Sequence, residues 1–283
     1  MTLERALVLG GGGVTGIAWG LGFLTGLLDE GLDLRNADLV VGTSAGSSVG
    51  AQITSGAPLE QLYARQLESS AERAADFDAA ALGRTFAALM QEVGPDPTAI
   101  RRRIGQLALG ASSVPEAERR AIIASRLPSP KWPAERLVIV AVDAETGEPR
   151  FFDRDAGVSL TDAVAASCAV PGVWPPMTIE GHRYMDGGVR SVTNADLAMG
   201  AQRVLVLSLL PPGPQSTLPR EVAALEGAGS AVLVAEPDAA SVEAIGPNVL
   251  DPARREETAR AGRAQGRRQA AELSAFWTGS VNA

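Results

Sequence analysis

One histidine (His182), one cysteine (Cys168) and one lysine (Lys131) stand in a chain of 283 residues. A lone cysteine forms no intrachain disulfide, so nothing marks the chain as stabilised for an oxidising compartment. Cys168 lies in the apolar stretch TDAVAASCAV and reads as a buried, inert thiol. With a single His and a single Cys, zinc sites built from clusters of those residues are excluded. Asp153 and Asp155 (FDRD) offer two carboxylates for a hard cation, but the segment reads as a solvated turn. Positive charge is short as well: 25 basic residues face 33 acidic ones, a net charge of −8. That balance argues against nucleic acid as a partner and against tight electrostatic docking on anionic lipid. A local patch making transient contact with a membrane surface stays open.

A convincing membrane span is missing too. Ala6 to Leu28 carries no charge, is long enough to cross a bilayer, and contains Gly16-x-x-x-Gly20, which mimics a helix-pairing motif. The consecutive glycines Gly10 to Gly13 would interrupt such a helix, so the segment reads as strand, loop, then helix, and no transmembrane segment is expected. The start, MTLER, lacks a clearly basic region of the signal-peptide kind. A cytoplasmic protein, peripheral at membranes if it touches them, is the resulting expectation. Composition, 46% apolar and 20% charged, is that of ordinary globular proteins, and the length suffices for a sizeable core in one domain.

Ala6 to Leu9 reads as a buried strand entering a glycine loop, and Ile17 to Leu28 has helical spacing that stops near Gly31. Asp38 to Val41 predicts a second strand, running into Gly42-Thr43-Ser44-Ala45-Gly46 and a small-residue helix to Ser55. Strand, helix, strand, helix in that order implies an α/β fold with a parallel sheet and right-handed crossovers. Residues 58–130 have helical periodicity and no defensible strand, and are expected to cover the sheet or cap a site. Leu137 to Val142 predicts a central strand with a partner at Phe151-Phe152 across Glu145-Thr146-Gly147. A helix capped by Ser159 or Thr161 ends before Pro171, Ile179 and Tyr184 flank a small hairpin, and Val204 to Leu209 is a further strand. A helical extension is expected over about 219–283, its last helix opening at Asp251-Pro252 and reaching about Trp277. Its arginines, interleaved with Glu256, Glu257 and Glu272, read as a solvated face rather than a lipid-headgroup surface.

Three stretches carry chemistry. Gly42-Thr43-Ser44-Ala45-Gly46 is G-x-S-x-G between an apolar strand and a helix, the setting of a nucleophile elbow with Ser44 as nucleophile. Gly42 and Gly46 are needed where a Cβ would collide with neighbouring backbone. Gly10 to Gly13, with Gly16, form the second stretch, a candidate source of oxyanion donors, since a glycine turn exposes backbone N–H groups without side chains in the way. Gly11-x-Gly13-x-x-Gly16 also satisfies the dinucleotide fingerprint, but the second strand ends in Gly42-Thr43-Ser44 and Asp38 lies at its wrong end to hold a ribose. The third stretch is Asp186-Gly187-Gly188, a carboxylate at a backbone-permissive bend. A serine triad would have only His182 to draw on, and that ring sits in the turn Glu180-Gly181-His182-Arg183, which reads as exposed. The scarcity of histidine therefore points to a base that is not histidine.

The order GGGVTG, GTSAG, then DGG resembles the patatin-like phospholipases, as does AVAASCAVPGVWPPMTIEGHRYMDGG before the aspartate. The resemblance runs from Leu7 to about Gly188, with 58–130 alike only in helical character. It implies a single three-layer α/β/α domain over 1–283 with a mainly parallel sheet and its core motifs within 6–209. It further implies a lipid acyl hydrolase of phospholipase A or esterase type, working through a Ser44–Asp186 dyad without catalytic histidine, with backbone oxyanion donors at Gly11, Gly12, Gly13 and Ala45 and no metal or organic cofactor. Gly187 and Gly188 support the base as Gly16, Gly42 and Gly46 support the nucleophile. One departure stands out: the family's glycine loop usually carries Arg or Lys where this chain has Thr15. From another class, a non-catalytic lipid-binding or interaction module on the same fold is the alternative. Trp174, beside Pro175-Pro176, either lines an acyl-chain pocket or packs in the core.

Overall fold

From Ala6 to Leu9 of β1 (Leu3–Leu9) and from Leu39 to Val41 of β2 (Leu39–Thr43) every residue is apolar, which suits strands covered on both faces. The computed structural model, which describes residues 3–68, 72, 75, 79–111, 113–213 and 216–279, shows that covering directly. Leu7, Leu9 and Val40 join one buried cluster, while their neighbours Ala6, Val8, Leu39 and Val41 join another on the opposite face. The first is closed by helices α1 (Gly13–Asp29), α2 (Ala45–Ile53), α7 (Leu160–Ser167) and α10 (Arg255–Thr278). The second is closed by α8 (Leu218–Gly227) and the 3-10 turn Ala195–Ala198. Three layers result, as expected.

The sheet has eight strands. β3 (Leu137–Asp143), β2, β1, β7 (Ala201–Leu207) and β8 (Ala231–Ala235) run parallel, in that spatial order. β4 (Pro149–Phe152), β5 (Met177–Ile179) and β6 (His182–Asp186) are antiparallel to their neighbours. β8 corrects the expected helical extension from about residue 219, which contains a strand, followed by α9 (Ala239–Ile245). The Asp251-Pro252 start holds in modified form: Asp251 caps a short 3-10 turn and α10 follows.

α10 is no appendage. It lies against α1 along four glycines, and a Cβ at Gly22 or Gly26 would stand 2.1 Å from the carbonyl oxygen of Ala259 or Arg263. Cβ atoms at Gly262 and Gly266 would stand 2.4 and 2.2 Å from those of Trp19 and Phe23. Glycine there lets two helix backbones touch. Gln265 bridges the seam: its Oε1 accepts from Trp19 Nε1 (3.1 Å), Asp238 N (3.0 Å) and Ser241 Oγ (2.8 Å). The arginines on α10 are paired rather than simply solvated; Arg263 and Arg267 bond Asp29, and Arg268 bonds Asp238.

Residues 58–130 hold α3 (Leu59–Leu67), α4 (Ala79–Val93), α5 (Pro97–Gly110) and α6 (Glu116–Arg126), with no strand among the described residues. Leu89, Ile104 and Ala108 pack with Val142, Ala144 and Met185, tying α4 and α5 to the ends of β3 and β6. Gly105 permits the closest approach, since a Cβ there would lie 1.9 Å from the Ala144 carbonyl oxygen.

Candidate active site

Ser44 sits between β2 and α2 at φ 53° and ψ −117°, a conformation that an L-residue holds only where its surroundings enforce it. The flanking glycines are sterically required. A Cβ at Gly42 would lie 2.7 Å from the Gly46 carbonyl oxygen, and one at Gly46 would lie 1.9 Å from that of Leu9. The Gly46 N–H donates to the Gly10 carbonyl (3.0 Å), which locks the turn onto the glycine loop. From α7, Ser167 Oγ accepts the Ser44 N–H (2.9 Å), and the Cys168 thiol donates to the Ser44 carbonyl (3.2 Å). Cys168 is buried as expected, and desolvation with the nearby Asp186 charge pushes its thiol up, so it stays neutral.

Strand register brings Asp186 to Ser44. Val140 of β3 pairs with Thr43 on one edge and Phe151 on the other. One residue on, Ala141 pairs with Arg150 of β4 and with Asp186 of β6. β3 thus outruns β2, and β6 takes the vacated edge, so Asp186 follows Thr43 along the same side. The result is a hydrogen bond of 2.7 Å from Ser44 Oγ to Asp186 Oδ2. Asp186 Oδ1 accepts the Gly188 N–H at 2.7 Å, and its own N–H donates to Ala169. Gly187 is needed at the bend, because a Cβ there would lie 2.3 Å from the Val140 carbonyl oxygen. Burial pushes the Asp186 carboxyl up to about 6, against the lowering effect of the bonds from Ser44 and Gly188 and the charge of Arg119.

Of the expected oxyanion donors, Gly12, Gly13 and Ala45 have N–H groups with no acceptor among the described residues, and all three line the cavity beside Ser44. Gly11 lines it as well, but its N–H donates to the Val192 carbonyl (2.8 Å) and is not free. Gly13 takes φ +63°, and a Cβ on it would lie 2.5 Å from the Val249 carbonyl oxygen; one on Gly16 would press on Leu209 at 3.2 Å. Thr15 is fully buried, with its N–H and Oγ1 directed to Val249 (3.1 and 3.3 Å), and does not line the cavity. Asp38 accepts the N–H groups of Glu4 and Arg5 at the far end of β1, away from the glycine loop. His182 lies at the opposite end of β6 from Asp186, its side chain 59% exposed and its Nδ1 3.2 Å from Asp143.

The cavity over Ser44 is about 250 Å³, walled mainly by apolar groups such as Leu82, Phe86, Val170, Val192 and Leu210. Trp174 lines it rather than packing away from it. Two contributors were not foreseen. Asn194, fully buried, donates to Thr43 Oγ1 (3.0 Å) and to the Gly187 carbonyl (3.4 Å), bracing the residues beside Ser44 and Asp186. Arg119 of α6 also lines the cavity, stacked on Trp174. Among the described residues, no group of three His, Cys, Asp or Glu is placed to hold a metal ion. None of their helices is long and apolar enough to cross a membrane.

The sequence model described as patatin-like phospholipase matches residues 7–199, which include every residue of this site up to Asn194. The chain belongs to the patatin-like phospholipase family. It is thus a member of a lipid-hydrolase family with that family's mixed α/β architecture. No curated protein matches it in sequence. Among solved structures, VipD from Legionella pneumophila is similar at 13% sequence identity and a TM-score of 0.43, over 95% of this chain and 67% of that one. The type III effector protein ExoU is similar at 18% and 0.35, over 94% of this chain, which spans 54% of ExoU's length.

Proposed function

We propose that the protein is a serine hydrolase of lipid acyl esters, with Ser44 as nucleophile and Asp186 as the sole general base. The observation that carries this reading is the 2.7 Å bond between Ser44 Oγ and a buried Asp186, at the wall of an apolar cavity. Asp186 takes the hydroxyl proton as Oγ attacks the ester carbonyl carbon. The oxygen that gains charge lies toward the N–H groups of Gly12, Gly13 and Ala45, the last at the N-terminus of α2, where the helix dipole favours an anion. Collapse of the intermediate expels the alcohol, which receives the proton from Asp186. Water then repeats the cycle on the acyl-enzyme and releases the acid. An ordinary carboxylate, near 3.9, is a weak base; burial that lifts Asp186 to about 6 makes it a better one.

Turnover of a soluble para-nitrophenyl ester tests the reading. Ser44→Ala and Asp186→Asn should each lower kcat/KM by about 10⁴-fold or more, because no histidine stands in for the aspartate. His182→Ala should stay within about threefold. Activity should rise with pH through about 6, as Asp186 ionises. Stability should show the reverse trend. The folded state holds this proton more tightly than the unfolded chain, so the contribution favours folding below about 3.8 and is lost as pH rises through about 6. Asp186→Asn should therefore stabilise the protein at pH 8, by on the order of 3 kcal/mol, with the gain shrinking toward pH 4. A variant Asp186→Asn that keeps its turnover, beside an inactive His182→Ala, would overturn the dyad.

A further inference from the structure

Next to the cavity over Ser44 lies a larger one, of about 820 Å³. The two have Val14, Ile17, Arg119, Arg126 and Trp174 in common among their lining residues, so they adjoin. The larger cavity is rich in arginine, and three of its four arginines donate to acceptors in the protein. Arg126 bonds both carboxylate oxygens of Glu72 at 2.9 and 2.6 Å. Arg255 donates to Gln66 and to the Arg65 carbonyl, while Arg65 donates to the Ser125 carbonyl. Glu68 and Glu118, also on the wall, are exposed.

Arg119 is the exception. It is 4% exposed, yet its side chain has no hydrogen bond and no ion pair among the described residues, and its Nε is buried without an acceptor. The guanidinium lies 4.0 Å from the centroid of the Trp174 ring, which holds it in place from one side and leaves its donors unused. Burial lowers its pKa to about 10, so it keeps its charge at neutral pH. Buried charges are ordinarily paired, because a desolvated ion without a partner is costly. Asp186, which lines the smaller cavity, is already bonded to Ser44 and Gly188. Among the described residues, none supplies that partner.

We propose that the larger cavity is an anion subsite, in which Arg119 holds an anionic oxygen group on the polar end of the substrate while the acyl ester lies over Ser44. A planar guanidinium suits this work because its N–H donors can meet two oxygens of one phosphate or carboxylate at once. Arg119 is then a specificity-determining residue, contributed by α6 of the helical cap rather than by the glycine loop. The assignment rests on the hydrolase reading above, and the tests separate the two.

The first test compares one monoacylglycerol with the same molecule carrying a terminal phosphate, both below their micellar concentrations. The wild-type protein should prefer the phosphate-bearing ester. Arg119→Gln should lower the ratio of the two kcat/KM values at least tenfold, through KM, and Arg119→Lys should restore part of it. An equal fall on both esters would mean that Arg119 only shapes the cavity, and the subsite would be withdrawn. The second test needs no turnover: calorimetric binding of dodecyl phosphate, dodecanol and inorganic phosphate to the Ser44→Ala protein. Dodecyl phosphate should bind at least tenfold more tightly than either of the others, and adding Arg119→Gln should remove that margin. Inorganic phosphate bound as tightly as dodecyl phosphate would point to a free anion and overturn the proposal, as would a margin indifferent to Arg119→Gln. An Arg119-dependent margin in a protein that cleaves no ester would uphold the subsite and sink only the hydrolase reading.

Discussion

Two helical regions of similar Ala-, Arg- and Glu-rich composition have opposite relations to the sheet. α10 lies backbone to backbone on α1, through Gly22, Gly26, Gly262 and Gly266. The cap over 58–130 touches the sheet closely at Gly105, while its Gly83 and Gly110 have nothing within 4 Å of where a Cβ would stand. The difference shows that glycine in a helix has no single meaning. Where it recurs at four-residue spacing on two facing helices it sets their separation; where it faces open space it only loosens the helix. The tight seam carries α1, which begins where the glycine loop ends, so the N–H groups of Gly12 and Gly13 lie at the head of a helix held backbone to backbone. The loose cap supplies Arg119, Leu82 and Phe86, side chains that meet the cavity from outside.

The largest effect expected from this contrast is at the seam. Gly26→Val places a branched side chain where a Cβ alone would be 2.1 Å from the Arg263 carbonyl oxygen, and neither backbone can yield. Loss of more than about 4 kcal/mol, seen as an absent or much lowered thermal transition, is the expected outcome. A variant melting within a few degrees of wild type would show that the helices can part. Next comes Gln265→Leu, which leaves Trp19 Nε1–H, the Asp238 N–H and the Ser241 hydroxyl without their shared acceptor. A cost of about 3 kcal/mol, or roughly 6–10 °C in Tm, follows from stranding such buried groups. The smallest effect belongs to the cap: Gly83→Ala should leave Tm unchanged or raise it by about 1–3 °C, as Ala is the better helix former by about 0.5–1 kcal/mol. A marked destabilisation there would erase the distinction between seam and cap.

Much of this was legible in residue order because the information is local. G-x-S-x-G after an apolar strand, a glycine loop, and Asp186 before two glycines each describe a short backbone turn, and a lone histidine on a hairpin narrows the choice of base. β8 had a local signal too, the apolar run AVLVA between Gly229-Ser230 and Pro237, which its helical surroundings masked. The direction of the Gly11 N–H was hidden because a glycine run does not reveal which amides the loop uses to hold itself together. Asn194 and Arg119 were invisible for a different reason. Their partners, Thr43 and Trp174, are far off in sequence, and only the folded chain shows that one is fully bonded and the other is not.

The family match stops at residue 199, two positions before β7 begins at Ala201. Shared ancestry of the chemistry therefore does not mark a place where the molecule can be divided. A chain ended there would lose the whole row of backbone bonds that β7 gives β1 from Leu3 to Leu9, and bare the glycine face of α1 to water. The segment outside the family match is what holds the matched segment in shape. A cut at the edge of the family match would separate the glycine loop from the strand and helix that support it.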